Sequence, residues 1–259
     1  MLFAIVASAT LGAIVGLLKS YCNVNEVISG IMLNWIALYT TNMILATKGQ
    51  EASHYTLKLA ENAPQAILPP LGLDKLFGND KVTIAIPLAI ILAIVVYIVL
   101  NRTKFGYELR ATGNNKNAAK YAGMAEKRNI ILTLVIAGSL AGLGGAMLYL
   151  SDIEQWSFTA TSVPSMGFNG IAATFLGGLD PIGTIFASFF IQHITDGGPY
   201  VDTTHYCSQI SDLISSIIIY LCGFVLFLKT AINRGIARSE ERQAQREKEL
   251  AAEAKGGEK

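Results

Sequence analysis

The chain has 259 residues, of which 52% are hydrophobic and only 15% charged, and its mean hydropathy is +0.43. A soluble domain of this size carries about 25% charged residues, so a water-soluble globular class is excluded. The formal net charge of +1 says nothing about partners, because the charges are segregated into a few segments; no nucleic-acid role is expected of the charged C-terminal tail.

The apolar residues come in uncharged runs long enough to cross roughly 30 Å of hydrocarbon, which sets the fold class: all-α, a polytopic helical membrane protein with five full spans plus a broken-helix hairpin. The first run, 2–18, ends at Lys19. A signal peptide needs positive charge before its apolar stretch, not after it, so this run reads as a span, and Gly12 and Gly16 form a small-xxx-small pair suited to close helix packing. The second run, 27–47, contains Asn34 and Trp35 near its middle. An amide in hydrocarbon needs a partner, so these two residues belong either to a polar substrate pathway or to an interhelical hydrogen bond. Residues 48–81 are mixed in charge and carry Pro64, Pro69 and Pro70, as expected of an extracytoplasmic loop. The third span is expected at 82–101, with a mild kink at Pro87.

Residues 102–129 form a loop between two spans, and Arg102, Lys104, Arg110, Lys116, Lys120, Lys127 and Arg128 outnumber Glu108 and Glu126 in it. A short loop this rich in Lys and Arg belongs on the cytoplasmic side. Within it, 114–121 has the makings of two helical turns, with Asn114 as the cap and Gly123 as the stop. Such a helix presented to the cytoplasm is a docking surface. Ala118 and Ala119 are small enough to let a partner approach, and Tyr121 is placed as an apolar anchor on nearly the same face.

The fourth span is expected at 130–150, with Gly138 and Gly142 as a second GxxxG face packed against another helix, followed by Trp156 at the outer interface. Next comes an apolar stretch interrupted by Gly177, Gly178, Asp180, Pro181 and Gly183. No Lys or Arg occurs in 193–209, whereas Lys229, Arg234 and Arg238 closely follow the last span, 213–228. This charge placement favours two half-helices, 163–177 and 182–195, entering from and returning to the outside, with the C-terminus cytoplasmic. Broken helices line substrate routes in transporters, which singles out Phe168 and Asn169; Asn169 has the same two readings as Asn34, pathway or packing hydrogen bond, with the pathway favoured. Asp180 is either a turn residue or a buried functional carboxylate. The tail, 231–259, reads as solvated.

Neither catalytic residues, a metal site nor a cofactor is expected. Cys22, Cys207 and Cys222 show no CxxC spacing, His54, His193 and His205 are scattered, and no P-loop is present, so the chain has no P-loop of its own with which to hydrolyse ATP. A self-sufficient secondary transporter, independent of any separate ATPase, is the alternative class; against it, the uncharged runs hold no acid deep in a span. A membrane-anchored scaffold would leave Asn34 and the broken helix unexplained.

Three stretches, 25–39 (NEVISGIMLNWIALY), 107–124 (YELRATGNNKNAAKYAGM) and 167–183 (GFNGIAATFLGGLDPIG), together resemble signatures of ABC-transporter permease subunits. The branch is that of the nucleoside and simple-sugar permeases working with basic-membrane-protein-type lipoproteins, within the ribose and branched-chain amino acid permease group. The resemblance implies a multi-pass plasma-membrane protein, not itself an enzyme, that imports nucleosides or simple sugars. It implies three partners besides the lipid bilayer: an ABC ATPase subunit, a second permease subunit in a homo- or heterodimer, and an extracytoplasmic substrate-binding lipoprotein. It also makes Glu108, Arg110, Gly113, Asn114, Ala118, Ala119, Tyr121 and Gly123 part of the region that couples to the ATPase. Such permeases are longer at the N-terminus, so this chain is expected to lack their first few spans. One departure is Ser215–Ser216, where a Gln-Gly pair is common in the family.

Overall fold

The computed structural model describes residues 1–48, 55–56, 64–69, 83–157, 159–164 and 166–200, with scattered positions between 210 and 235. The expected span at 213–228 is described only in part. The tail, Ser215, Cys207, Cys222, His54 and His205 fall outside the described residues, apart from two positions of the tail. The chain divides into two compact units, Met1–Pro164 and Ser165–Lys259.

In the first unit, α1 (Leu2–Cys22), α2 (Glu26–Lys48), α3 (Ala85–Arg102) and α6 (Glu126–Leu150) are the helices long and apolar enough to cross a membrane among the described residues. Their surfaces are apolar because lipid, not water, is the solvent: Phe3, Ile28, Met32 and Ile91 all point outward. Between α3 and α6 lie two further helices, α4 (Lys104–Asn114) and α5 (Lys116–Tyr121). Helix α3 begins at Ala85, so Pro87 falls in its first turn. There the missing N–H would have had no intrahelical partner in any case, which removes the basis for the expected kink.

The core of this unit is the antiparallel crossing of α1 and α6. Ala4, Ser8, Gly12 and Gly16 recur every four residues on α1 and face Gly142, Gly138, Leu134 and Ile131 on α6. A Cβ on Gly12 would stand 2.3 Å from the Leu134 carbonyl oxygen, and one on Gly138 would stand 2.5 Å from that of Ser8. The backbones therefore meet with no room for side chains, and the two glycine pairs noted in the sequence close on each other.

A tight bend joins α1 to α2. Asn23 adopts a left-handed conformation (φ 54°), Lys19 pairs with Glu26, and Asn25 Oδ1 accepts from the Val27 N–H at 2.9 Å. At the far end of α2, Asn42 binds the segment that follows α6. Its Oδ1 accepts from the Trp156 indole at 2.7 Å and its Nδ2 donates to the Ala160 carbonyl at 3.0 Å. The Trp156 carbonyl also accepts from Thr56 N, the Trp156 backbone N–H donates to the Thr56 hydroxyl, and the ring lies edge-on to Tyr149.

The second unit contains α7 (Met166–Leu176) and α8 (Pro181–Gly197). At 1.5 Å per residue these helices are about 16 and 26 Å long, each short of the roughly 30 Å hydrocarbon core. They pack through Ala172, Ala173, Ala187 and Ile191. Helix α7 ends in a Schellman turn: Gly178 (φ 71°) donates to Phe175 O and Leu179 to Thr174 O. Asp180 then caps α8, its Oδ2 accepting from Ile182 N at 3.1 Å and Gly183 N at 3.2 Å, with Pro181 in the first turn. The turn is tight at Gly177 and Gly183, where a Cβ would meet backbone at 2.5 and 2.3 Å.

Candidate functional site: the α4–α5 element and the polar positions of α2 and α7

The inter-span segment is more helical than its sequence suggests. Helix α4 starts immediately after α3, because the Thr103 hydroxyl caps it by accepting from Gly106 N at 3.1 Å. The reversal is so close that a Cβ on Gly106 would lie 2.1 Å from the Val99 carbonyl oxygen. Arg110 fastens α4 back onto the end of α3, its Nη1 donating to Asn101 Oδ1 at 2.7 Å. Glu108, half-buried, faces Lys104 at 3.9 Å. That contact is loose and mostly in water, where such pairs contribute about 0–1 kcal/mol.

The cap of α5 is Asn115, not Asn114. Its Oδ1 accepts from the N–H groups of Asn117 and Ala118, both at 3.1 Å, whereas Asn114 is the last residue of α4. Two adjacent asparagines offer the same side chain, and the one in extended conformation (Asn115, φ −153°) is the one able to cap. Gly123 (φ 78°) stops α5 in a second Schellman turn, in which Gly123 N donates to Lys120 O and Met124 N to Ala119 O.

Ala118 and Ala119 part company in the structure. Ala118 is exposed, whereas Ala119 is only 4% exposed and packs largely within the chain, at the floor of the hollow between α4 and α5. Tyr121 is 93% exposed and Tyr107 is 65% exposed. Tyr107, Arg110, Gly113, Asn114, Ala118 and Met124 are among the residues around an open hollow of about 760 Å³ between α4 and α5. The element thus presents a concave surface with Tyr107 on its lining, and Tyr121 stands exposed on α5.

The helical insert is anchored to α6 by a contact that motif reading missed. Asn129 and Thr112 are both buried, and the Asn129 amide donates to the Thr112 hydroxyl at 3.0 Å. Thr112 in turn donates to Glu108 O at 2.7 Å, and Thr133 donates to Asn129 O at 2.8 Å.

On α2, Asn34 is exposed and Trp35 stacks on Tyr39 at 6.0 Å. Among the described residues Asn34 makes no interhelical hydrogen bond within this chain, so its amide faces the outside of the first unit. On α7, Phe168 is exposed and Asn169 is half-buried. Asn42, which does bind across elements, carried the same signal as Asn34, an amide inside an uncharged run, and was overlooked beside it. Among the described residues, no group of His, Cys, Asp and Glu could hold a metal ion.

An all-α polytopic membrane protein with a helical insert between spans and a broken-helix hairpin is the class these features define. The chain belongs to the family described as branched-chain amino acid transport system / permease component, whose sequence profile matches residues 1–223. The family is one of transport permeases, not enzymes, and the chain is a multi-pass protein of the plasma membrane. It is similar to the nucleoside ABC transporter permease protein NupB of Lactococcus lactis subsp. cremoris, 28% identical over 92% of this chain and 66% of the relative. The guanosine ABC transporter permease protein NupP of Bacillus subtilis is 32% identical over 85% of this chain and 62% of its own length. A glucose ABC transporter permease protein of Haloferax volcanii is 28% identical, over 78% of this chain and 54% of the relative. The chain therefore spans about two thirds or less of the length of these relatives. No solved structure matches it.

Proposed function

We propose that this chain is a membrane-spanning subunit of an ATP-driven importer for nucleosides, with simple sugars as the second class, and that α4–α5 docks a separate ATPase. The observation that carries the reading is the α4–α5 element itself. It joins two span-length helices, carries basic residues of the kind that favour the cytoplasmic side, exposes Tyr121, and sets Ala118 beside a hollow. The names of the similar proteins, nucleoside and guanosine permeases before glucose, support the order of substrates. A second permease subunit and an extracytoplasmic binding lipoprotein complete the assembly. Asn34, Trp35, Phe168 and Asn169 belong to the pathway, and the C-terminus is cytoplasmic. Purification of the membrane complex tests the reading directly: an ATPase copurifies, and vesicles containing the complex accumulate radiolabelled guanosine only with ATP inside the compartment that α4–α5 faces. ATP-independent uptake driven by an ion gradient would replace this reading with a secondary transporter.

Orientation has its own test. Asn115→Cys, on the α5 cap, reacts with impermeant thiol reagents from the cytoplasmic side. Tyr200→Cys, at an exposed position after α8, reacts from the outside, as expected of a pair of half-helices that enters from and returns to that side with no Lys or Arg at 193–209. Labelling of position 200 from the cytoplasm would mean that the α7–α8 segment crosses the membrane and does not return.

The pathway positions give a further expectation. Asn34→Leu and Asn169→Leu each lower guanosine uptake several-fold, because a polar lining group removed from a route is worth about 1 kcal/mol or more. ATPase copurification stays intact in both. Loss of the ATPase from either variant would make the residue a packing element instead.

A further inference from the structure

We infer that the buried Thr112–Asn129 pair is a positioning contact that sets the direction in which movement of the docking element reaches the spans. This rests on the docking role proposed above for α4–α5. Force applied at α5 has few routes into the membrane. They are the covalent bend at Gly106 into α3, the short connection 122–125 that carries α5 directly into α6, and the contact of α4 with the start of α6. At that contact the polar link between side chains is the hydrogen bond from the Asn129 amide to the Thr112 hydroxyl, 3.0 Å long, with Thr112 6% and Asn129 3% exposed.

Three features make this contact stiff. Thr112 Oγ1 is fixed on its own helix by donating to Glu108 O, so the one remaining role of the hydroxyl is to accept from Asn129. Asn129 is itself in the first turn of α6, where Thr133 Oγ1 donates back to its carbonyl at 2.8 Å. A buried hydrogen bond also holds direction as well as distance, because misalignment leaves polar groups unsatisfied away from water. An apolar contact of the same size would permit sliding. Beyond Asn129, α6 locks against α1 at Ile131, Leu134, Gly138 and Gly142, so displacement of the α6 start moves both helices together.

The test uses the full-length complex with its copurifying ATPase in vesicles, measuring radiolabelled guanosine uptake and ATP hydrolysis on the same preparation. Three variants are compared: Asn129→Leu with Thr112→Val, which replaces both partners by apolar groups and leaves none unsatisfied; Thr112→Val alone; and Thr112→Ser, which keeps the hydroxyl. The expected result is that the first two retain the ATPase but lose roughly fivefold or more in guanosine moved per ATP hydrolysed, while Thr112→Ser matches the unsubstituted protein. A merely structural pair would lower the yield of complex and leave that ratio unchanged, which overturns the inference. So does loss of the ATPase from the double variant, or failure of Thr112→Ser to restore the ratio. A complex in which Ala118→Trp and Tyr121→Ala have no effect on ATPase binding would instead refute the docking role itself, and the two failures are therefore distinguishable.

Discussion

Gly12→Val and Gly138→Val abolish accumulation of folded protein, whereas Gly144→Val on the same helix as Gly138 does not. The seam between α1 and α6 is built on contacts of backbone with backbone: the atoms that a new Cβ would strike are the carbonyl oxygens of Leu134 and Ser8, at 2.3 and 2.5 Å. A carbonyl inside a helix cannot turn aside as a long side chain can, so the helices must separate. Separation forfeits the packing along the whole crossing, and in lipid little else holds two apolar helices together. Overpacking a core costs about 1–3 kcal/mol where neighbours can adjust, and the upper end applies here because they cannot. Gly144 has nothing within 4 Å of its Cβ position, so valine there adds only the modest helix-propensity change of a β-branched residue. Folded yield, or resistance to thermal aggregation in detergent, measures the difference. Equal behaviour of the Gly138 and Gly144 variants would mean that the α1–α6 crossing is not the core of the unit.

That seam also shows what the sequence could and could not convey. Spacing of four between Gly12 and Gly16, and between Gly138 and Gly142, is visible in one dimension and announces close packing. That these two pairs meet each other is a tertiary fact. The helices of the apolar runs were legible for the same reason, since length and lack of charge are local properties. Of the α4–α5 segment only the second helix was legible, and not in detail, because Asn114 and Asn115 are equivalent until the backbone decides which is extended; α4, over Lys104–Asn114, read as loop. Burial was the hardest to read. Ala118 and Ala119 look alike in sequence, yet one faces out and the other in, and six residues offer too short a pattern to fix the face. Thr112 and Asn129 lie 17 residues apart, each unremarked beside the charged residues of the basic loop, and only their burial together gives them meaning. Trp156 was placed at the outer interface by its chemistry, but its hydrogen bond to Asn42, across 114 positions, had no local trace.

The docking role proposed for α4–α5 yields the second large effect. Tyr121→Ala and Ala118→Trp each prevent the ATPase from copurifying with the membrane complex, while Lys116→Gln and Lys120→Gln leave it bound. Tyr121, 93% exposed, has nearly its whole ring available to a partner. Tyrosines that insert into partner pockets are among the side chains whose truncation costs 2 kcal/mol or more, about thirtyfold in affinity. Ala118 works in the opposite sense, because its small side chain beside the hollow leaves space, and an indole there fills it before a partner arrives. The chain itself tolerates the change, since Ala118 points into water and the cap from Asn115 uses its backbone N–H, not its side chain. Ala119→Trp is a poorer test: that residue is buried, so a bulky group would first disturb the packing of α5 on its own chain. The lysines are exposed, and replacing them removes charge that water and salt already screen. Copurification measured alongside guanosine uptake separates the cases. If both Tyr121→Ala and Ala118→Trp retained the ATPase and full uptake, α5 would not be the surface through which this permease is driven.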